Sequence, residues 1–265
     1  MNKPDERFRK ETNFRDIGGY PSAYNGTVKR GVFFRSGAPG LFLAEEIEAL
    51  KDLGIRTVID LRAPRRVKKL PDPQTEGIRI IEVCAGFGNI LEDLNYSFRE
   101  LWGMIVDEDQ HGNLVSRLVA SYFSALAYSN EAYRILFREI LEGNTPILVH
   151  CSQGKDRTGI AAILILLALG VPEKHILEDY LLTNEYRKDF IENRIKRRGI
   201  LPKISKNYRT FLTAIEGSLP ESAHMFMAEI QERYDTYENF FEKEYGLTAK
   251  DLGTLRKMYL DPETE

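Results

Sequence analysis

Cysteine is nearly missing from this chain: Cys84 and Cys151 are the only two among 265 residues. No disulfide framework can hold such a fold, and a reducing compartment is the default expectation. The four histidines are scattered without ligand spacing, so no metal and no other cofactor is expected. Long hydrophobic runs are missing as well. The longest, Ile160 to Leu169, is about half of the ~20 residues that cross a bilayer, and it reads as a buried helix. The opening residues, MNKPDERFRKETNFRD, are charged and lack the apolar stretch of a secretory signal. A cytoplasmic location is therefore expected, or secretion where a signal peptide has been removed. A formal net charge of −3 gives no support for nucleic-acid binding. Repeats, low-complexity tracts and Gly/Ser/Pro linkers are absent too, so a single domain over 1–265 and a monomer are expected.

What is present is an ordinary globular composition, 43% hydrophobic and 29% charged. Asn25-Gly26 signals a turn, and Thr27 to Phe34 after it suits a strand. Ala44 to Leu53 has helical spacing with Gly54 as its stop, while Thr57 to Leu61 and Ile78 to Val83 are short β-rich runs. Leu114 to Tyr128 and Glu131 to Leu141 read as amphipathic helices, and Pro146 to His150 as a strand covered on both faces. Beyond Pro172 the pattern is helical over Ile176 to Leu182, Asn184 to Arg198, Tyr208 to Glu216, Ala223 to Tyr234, Tyr237 to Tyr245 and Lys250 to Leu260. The expectation is an α/β fold, a central mostly parallel β-sheet flanked by helices, with a helical C-terminal half. Ala85 to Gln110 fits neither period, and is a candidate cover for a site, with Tyr96, Phe98 and Trp102 as lid or core aromatics.

The chemistry concentrates in VHCSQGKDRTG, between the strand and an apolar helix. The backbone N–H groups of Ser152 to Arg157 can curl into an anion-binding nest, to which the following helix N-terminus adds partial positive charge. Gly154 allows the tight loop, and the planar fork of Arg157 can hold two phosphoryl oxygens. The same positive surroundings favour a Cys151 thiolate. Nucleophile plus phosphate cradle implies covalent catalysis, with Asp156 inside the loop as a proton donor and Thr158 as a hydrogen-bond donor to the thiolate. A small core cysteine beside a helix-start ion pair is the structural alternative.

HCSQGKDRTG (His150 to Gly159) resembles the signature of the cysteine-dependent protein-tyrosine and dual-specificity phosphatases. With NFRDIGGY (Asn13 to Tyr20), VKRGVFFRSG (Val28 to Gly37), TVIDLR (Thr57 to Arg62) and DYLLTN (Asp179 to Asn184), it falls in the order of a bacterial tyrosine-phosphatase family acting on phosphotyrosine and phosphoinositides. The resemblance covers Asn13 to Asn184, a catalytic core over 13–184, and leaves 185–265 as a helical extension packed on it. It implies Cys151 as nucleophile, Arg157 as phosphate ligand and Asp156 as in-loop general acid. Ser152, Gln153, Gly154, Lys155 and Thr158 complete the phosphate-binding loop, and Lys155 is matched to a second cation for a multiply phosphorylated headgroup. The usual superfamily acid lies on a separate loop, for which Asp107 and Asp109 are the candidates here. The chain departs from the family in DLRAPRRVKKL, where basic residues stand in place of acidic ones.

Parallel strands would bring Asp60, Arg62, Cys84 and Cys151 to one sheet edge. Asp60 then either orients Arg157 or assists proton transfer, or else pairs structurally with Arg15, Arg35 or Arg62. His150 is read as fixing the loop, Arg15 and Asp16 as structural. Cys84 is an inert core thiol or a redox partner of Cys151. The basic stretch Arg187, Lys188, Arg194, Lys196, Arg197, Arg198, Lys203, Lys206 and Arg209 is a solvated face or an anionic-lipid contact. The expected function is a metal-independent phosphomonoester hydrolase whose partner is a phosphorylated protein or a phosphoinositide. The alternatives are an inositol-polyphosphate phosphatase and a catalytically silent phosphate-binding module.

Overall fold

Short β-branched and aromatic runs supply the strands, and the order in which they pair brings the loop to the centre of one edge. The computed structural model describes residues 5–86, 114–197, 199, 209, 212–213 and 215–262. The first part contains β1 (Arg15–Asp16), β2 (Pro21–Ser22), β3 (Gly26–Val28), β4 (Phe33–Ser36), α1 (Ala44–Asp52), β5 (Thr57–Asp60), α2 (Pro64–Lys69) and β6 (Arg79–Glu82). Then follow α3 (Leu114–Ala127), α4 (Glu131–Leu141), β7 (Ile147–His150), α5 (Asp156–Ala168), α6 (Glu173–Tyr186) and α7 (Lys188–Lys196). The C-terminal part holds α8 (Pro220–Tyr234), α9 (Tyr237–Tyr245), α10 (Ala249–Tyr259) and β8 (Leu260–Pro262).

The main sheet runs β1-β4-β7-β5-β6, with β4, β7, β5 and β6 parallel and β1 antiparallel at the edge. This is the expected mixed α/β architecture with a mostly parallel sheet. Its register sets Ser36 beside His150, His150 beside Asp60, and Asp60 beside Glu82. All four parallel strands therefore end on one edge, where open α/β sheets place their sites. β7 is buried along its whole length, as its unbroken apolar run requires.

Every residue of α5 from Arg157 to Ala168 is buried, because α5 lies between the sheet and the C-terminal helices. A helix that is apolar all round needs cover on all sides, and α9 and α10 supply it. One hydrophobic cluster joins Phe33, Ile147 and Ile163 to Phe226, Phe240 and Leu252. Each such side chain contributes about 1.5–3 kcal/mol when fully buried. Among the described residues no helix is long and apolar enough to cross a membrane.

Two expectations about elements are corrected. Thr27 to Phe34 is not one strand but the end of β3 and the start of β4. The break falls at Gly31, whose φ of +72° turns the chain and whose N–H donates to Asp16 Oδ2 at 2.7 Å. Helix α6 runs without interruption through the break expected near Thr183 and stops at Arg187, because Asp179 and Thr183 must share one inward face. The basic stretch is not uniformly solvated either: Arg187 is buried, and Arg194 pairs with Glu216. Arg198, Lys203 and Lys206 lie outside the described residues.

That inward face of α6 anchors the sheet. Asp179 receives Arg15 Nε at 2.9 Å and Arg35 Nη1 at 2.6 Å, and all three side chains are buried. Burial alone would push the Asp179 carboxyl up; the Arg15 and Arg35 charges outweigh it and hold it below the ordinary carboxylate range. With a folded pKa below the unfolded one, this stabilisation is complete above the unfolded value and is lost as pH falls through the folded value. Asp179→Asn, which leaves two buried cations without a counter-charge, should lower unfolding free energy by about 3–5 kcal/mol in urea titrations. The wild-type advantage over it should shrink as the titration is repeated at progressively acidic pH.

Candidate active site

Between β7 and α5 the chain must reverse from strand to helix within the few residues Cys151 to Lys155. Gly154 makes this possible. Its φ is +64°, and a Cβ there would lie 2.3 Å from the Ser36 carbonyl oxygen, so no other residue fits. The loop carbonyls all turn outward. Ser152 O accepts from Ala38 N at 3.4 Å, Gln153 O from Asn13 Nδ2 at 3.3 Å, and Gly154 O from both Asn13 Nδ2 and Arg35 Nη2 at 2.9 Å. Lys155 O accepts from Arg35 Nη2 at 3.5 Å. In a trans peptide the N–H points opposite to the C=O, so outward carbonyls turn the following amides inward.

Cys151 sits at the floor, buried directly after β7. Burial alone would push its thiol up. The Arg157 charge, the hydroxyl and N–H of Thr158 and the N–H of Gln153 outweigh burial and bring the thiol below its ordinary value. The Thr158 hydroxyl that contributes to this lowering is itself fully buried. Arg157 is fixed at both ends. Its carbonyl accepts from Tyr133 Oη at 3.0 Å, and its Nη1 donates to Leu61 O at 3.3 Å and Gly86 O at 3.5 Å.

Asp156, the first residue of α5, is half-buried at the mouth with its carboxylate 3.4 Å from Lys155 Nζ. The Lys155 ammonium is buried. The residue is 3% exposed, and its ammonium donates to Ile215 O at 2.5 Å. Burial, with the neighbouring Arg187 charge, draws its pKa below the ordinary lysine value although Asp156 opposes the shift. Gln153 is exposed, and its Oε1 accepts from Arg187 Nη1 at 3.0 Å.

The supporting residues form a second network under the loop. Asp60 takes Arg62, 2.6 Å away, not Arg157, Arg15 or Arg35. Arg62 also reaches Asp72 at 2.9 Å, and Asp72 lies 2.7 Å from His150 Nε2. Burial alone would draw His150 down; Asp72 outweighs it and raises the imidazole above its ordinary value. His150 Nδ1 faces Cys151 O at 3.3 Å, so the ring braces the loop backbone. Asp60, Asp72 and His150 are close enough together to suggest a metal group, but the Arg62 guanidinium already supplies the cation between the two carboxylates. Asp72 carried no signal in the sequence, because its partners are brought to it only by β5 and β7. Tyr133 was missed for the same reason, as an unremarkable position in an amphipathic helix.

Cys84 and Cys151 are both free thiols, and Cys84 Sγ lies 3.1 Å from Gly86 O. Of the expected cover, Ala85 and Gly86 are described. The remainder of Ala85 to Gln110, with Tyr96, Phe98, Trp102, Asp107 and Asp109, lies outside the described residues.

Comparison with known proteins shows what the chain is similar to. Over 214 residues the chain is 33% identical to a protein of Cupriavidus necator named as a tyrosine-protein phosphatase, covering 76% of this chain and 71% of that one. It is 28% identical over 190 residues to the triple specificity protein phosphatase PtpB of Mycobacterium tuberculosis, covering 65% and 67%. Among solved structures, the core catalytic domain of the PP-IP phosphatase SIW14 from S. cerevisiae aligns with a TM-score of 0.34 at 18% identity, covering 70% and 78%. TpbA of P. aeruginosa aligns with a TM-score of 0.32 at 14% identity, covering 80% and 94%. The model of the tyrosine phosphatase family matches residues 7–261, nearly the whole length, and the chain belongs to that family.

Proposed function

We propose that this chain hydrolyses phosphate monoesters through a cysteinyl-phosphate, with phosphotyrosine in proteins as its substrate class. The observation that carries the reading is a thiol brought below its ordinary pKa at the floor of an amide nest, beside a buried arginine. In the first step Cys151 Sγ attacks phosphorus, forming the S–P bond as the P–O ester bond breaks. Arg157 and the inward amides of Gln153, Gly154, Lys155 and Asp156 hold the equatorial oxygens, and the Asp156 carboxyl gives its proton to the departing oxygen. In the second step Asp156 takes a proton from water as that water attacks phosphorus. The S–P bond then breaks, inorganic phosphate leaves, and the Thr158 hydroxyl stabilises the released thiolate. Charge on the phosphoryl group is met by Arg157 and the amides, so the route needs no metal.

Lys155 bears on the choice of substrate. Its ammonium, held by Ile215 O and Asp156, is directed into the protein, which favours phosphotyrosine over a headgroup needing a second cation in the loop. His150, Asp60 and Arg62 act as braces in this reading. The shared hydrophobic cluster supports one functional unit over 1–265.

Phosphate release from p-nitrophenyl phosphate in the presence of a chelator should be rapid for the wild type and at background for Cys151→Ser. Equal rates in the two would refute the reading. Alkylation of Cys151 by iodoacetamide, followed by peptide mass mapping, should persist at pH values below those of an ordinary thiol. In Arg157→Ala the midpoint should move up, since burial then acts with less opposition. Asp156→Asn should slow hydrolysis of a phosphate ester with a poor leaving group by ~10²–10⁴-fold, with far less effect on p-nitrophenyl phosphate. If Asp109→Asn or Asp107→Asn gives that pattern instead, the acid is on the separate loop.

A further inference from the structure

Beside the loop lies a cavity of about 620 Å³ whose lining includes Ser152 and Gln153. This is within the ~300–1,000 Å³ of typical ligand clefts. Much of its wall comes from elements outside the loop: Leu41 from the segment after β4, Arg66 and Lys69 from α2, and Phe190 from α7. Cationic and apolar side chains meet there, and Glu11, whose carboxylate lies 3.5 Å from Arg9, is the acidic residue of the lining. Arg66 and Lys69 are exposed, and among the described residues neither has an acidic partner, whereas Arg9 is paired with Glu46 and Arg62 with Asp60 and Asp72. Opposite in character are Leu41 and Phe190, large apolar side chains left 62% and 38% exposed. Arg187 stacks on the Phe190 ring at 4.4 Å while bonding Gln153, so the apolar wall is tied to the loop itself.

We propose that this cavity is a subsite for the residues flanking a phosphotyrosine, taking an acidic side chain at Arg66 and Lys69 and an apolar side chain against Leu41 and Phe190. The proposal rests on the phosphatase reading of the loop and adds a sequence preference to it. Ser152 belongs to both the loop and the cavity lining, and it adjoins Cys151 in the chain. A peptide advancing ~3.3–3.6 Å per residue can place its neighbouring side chains there while its phosphate faces the sulfur. A peptide also offers anionic and apolar groups on adjacent positions, matching the mixed wall. A free inositol phosphate would leave the apolar wall unfilled, and the lipid that carries both groups is the competing occupant that the test below separates.

The test compares two phosphotyrosine peptides that differ only in their flanks, one with Glu and Leu and the other with Ser and Gly. Wild type should favour the first roughly tenfold in kcat/KM, the sum of modest surface ion pairs and apolar contact. In Arg66→Ala/Lys69→Ala the ratio should fall toward one, and Arg66→Glu/Lys69→Glu should turn the preference to a Lys-flanked peptide. These positions are exposed, and circular dichroism checks that the variants fold. Equal kcat/KM of wild type on both peptides overturns the subsite and leaves the phosphatase reading standing. So does an equal loss on both peptides in the variants, or a loss confined to phosphatidylinositol-phosphate vesicles, which would assign the cavity to lipid. A wild type inactive on both peptides and on p-nitrophenyl phosphate would overturn the phosphatase reading and the subsite together.

Discussion

Asp179 accepts Arg15 and Arg35 inside the protein, and through those two arginines it fixes the backbone of a loop that it does not touch. Arg35 passes from the carboxylate to Gly154 O, while Arg15 Nη1 donates to Asn13 Oδ1 at 2.6 Å. Asn13 then donates from Nδ2 to the same carbonyl. A buried carboxylate between two buried guanidiniums is sustained only when each charge has a partner. The geometric consequence is that the carbonyls of the loop are claimed from outside, and its amides are left for an anion within. The proposed phosphate cradle is thus the inner surface of an ion-pair network whose outer part is entirely structural.

A second network balances the first from the other side of β7. Arg62, bonded to Asp60 and Asp72, keeps two carboxylates from facing Cys151 as uncompensated negative charge. Without it, their field would favour the thiol over the thiolate and oppose the entry of a phosphate dianion. His150, raised by Asp72, braces the Cys151 carbonyl. The sulfur consequently lies between two arrangements that each hold arginine against aspartate, with Arg157 directed toward it. Burial of a thiol ordinarily works against ionisation, and here the surrounding cations and amides are numerous enough to reverse it.

Much of this was legible in the sequence where the signal was local. Helix periodicity located α1, α3, α4 and α9 to within a residue or two, and the apolar run of β7 announced a central strand. The loop was legible because glycine, arginine and cysteine had to occur at fixed intervals for any cradle to form. What could not be read were links that the fold alone creates. Strands β1, β2 and β8 are too short for an alternating pattern to show, and β8 pairs with β3 across almost the entire chain. Asp72 looks like a turn residue until β5 and β7 set it against His150. Lys155 sits in the loop by sequence, yet whether its ammonium faces the mouth or the core depends on a segment some sixty residues later.

That segment changes the meaning of the C-terminal helices. Asn184, the last residue of the DYLLTN motif, donates from Nδ2 to Ser218 O at 2.8 Å and accepts from Ser218 N at 2.7 Å, as a neighbouring strand would. It thereby pins residues 215–218 against α6, the helix that also carries Asp179. From this position Ile215 O receives Lys155, and Glu216 O receives Arg187 at 3.3 Å. Two cations of the loop neighbourhood are therefore oriented by carbonyls from the C-terminal part of the chain. A cover for α5 would need only apolar side chains. The backbone groups of 215–218 do more, because they hold the Lys155 ammonium inside the protein, and in the proposed reaction this leaves Arg157 and the loop amides to meet the phosphate. Residues on both sides of 184 are thus joined by hydrogen bonds at the loop.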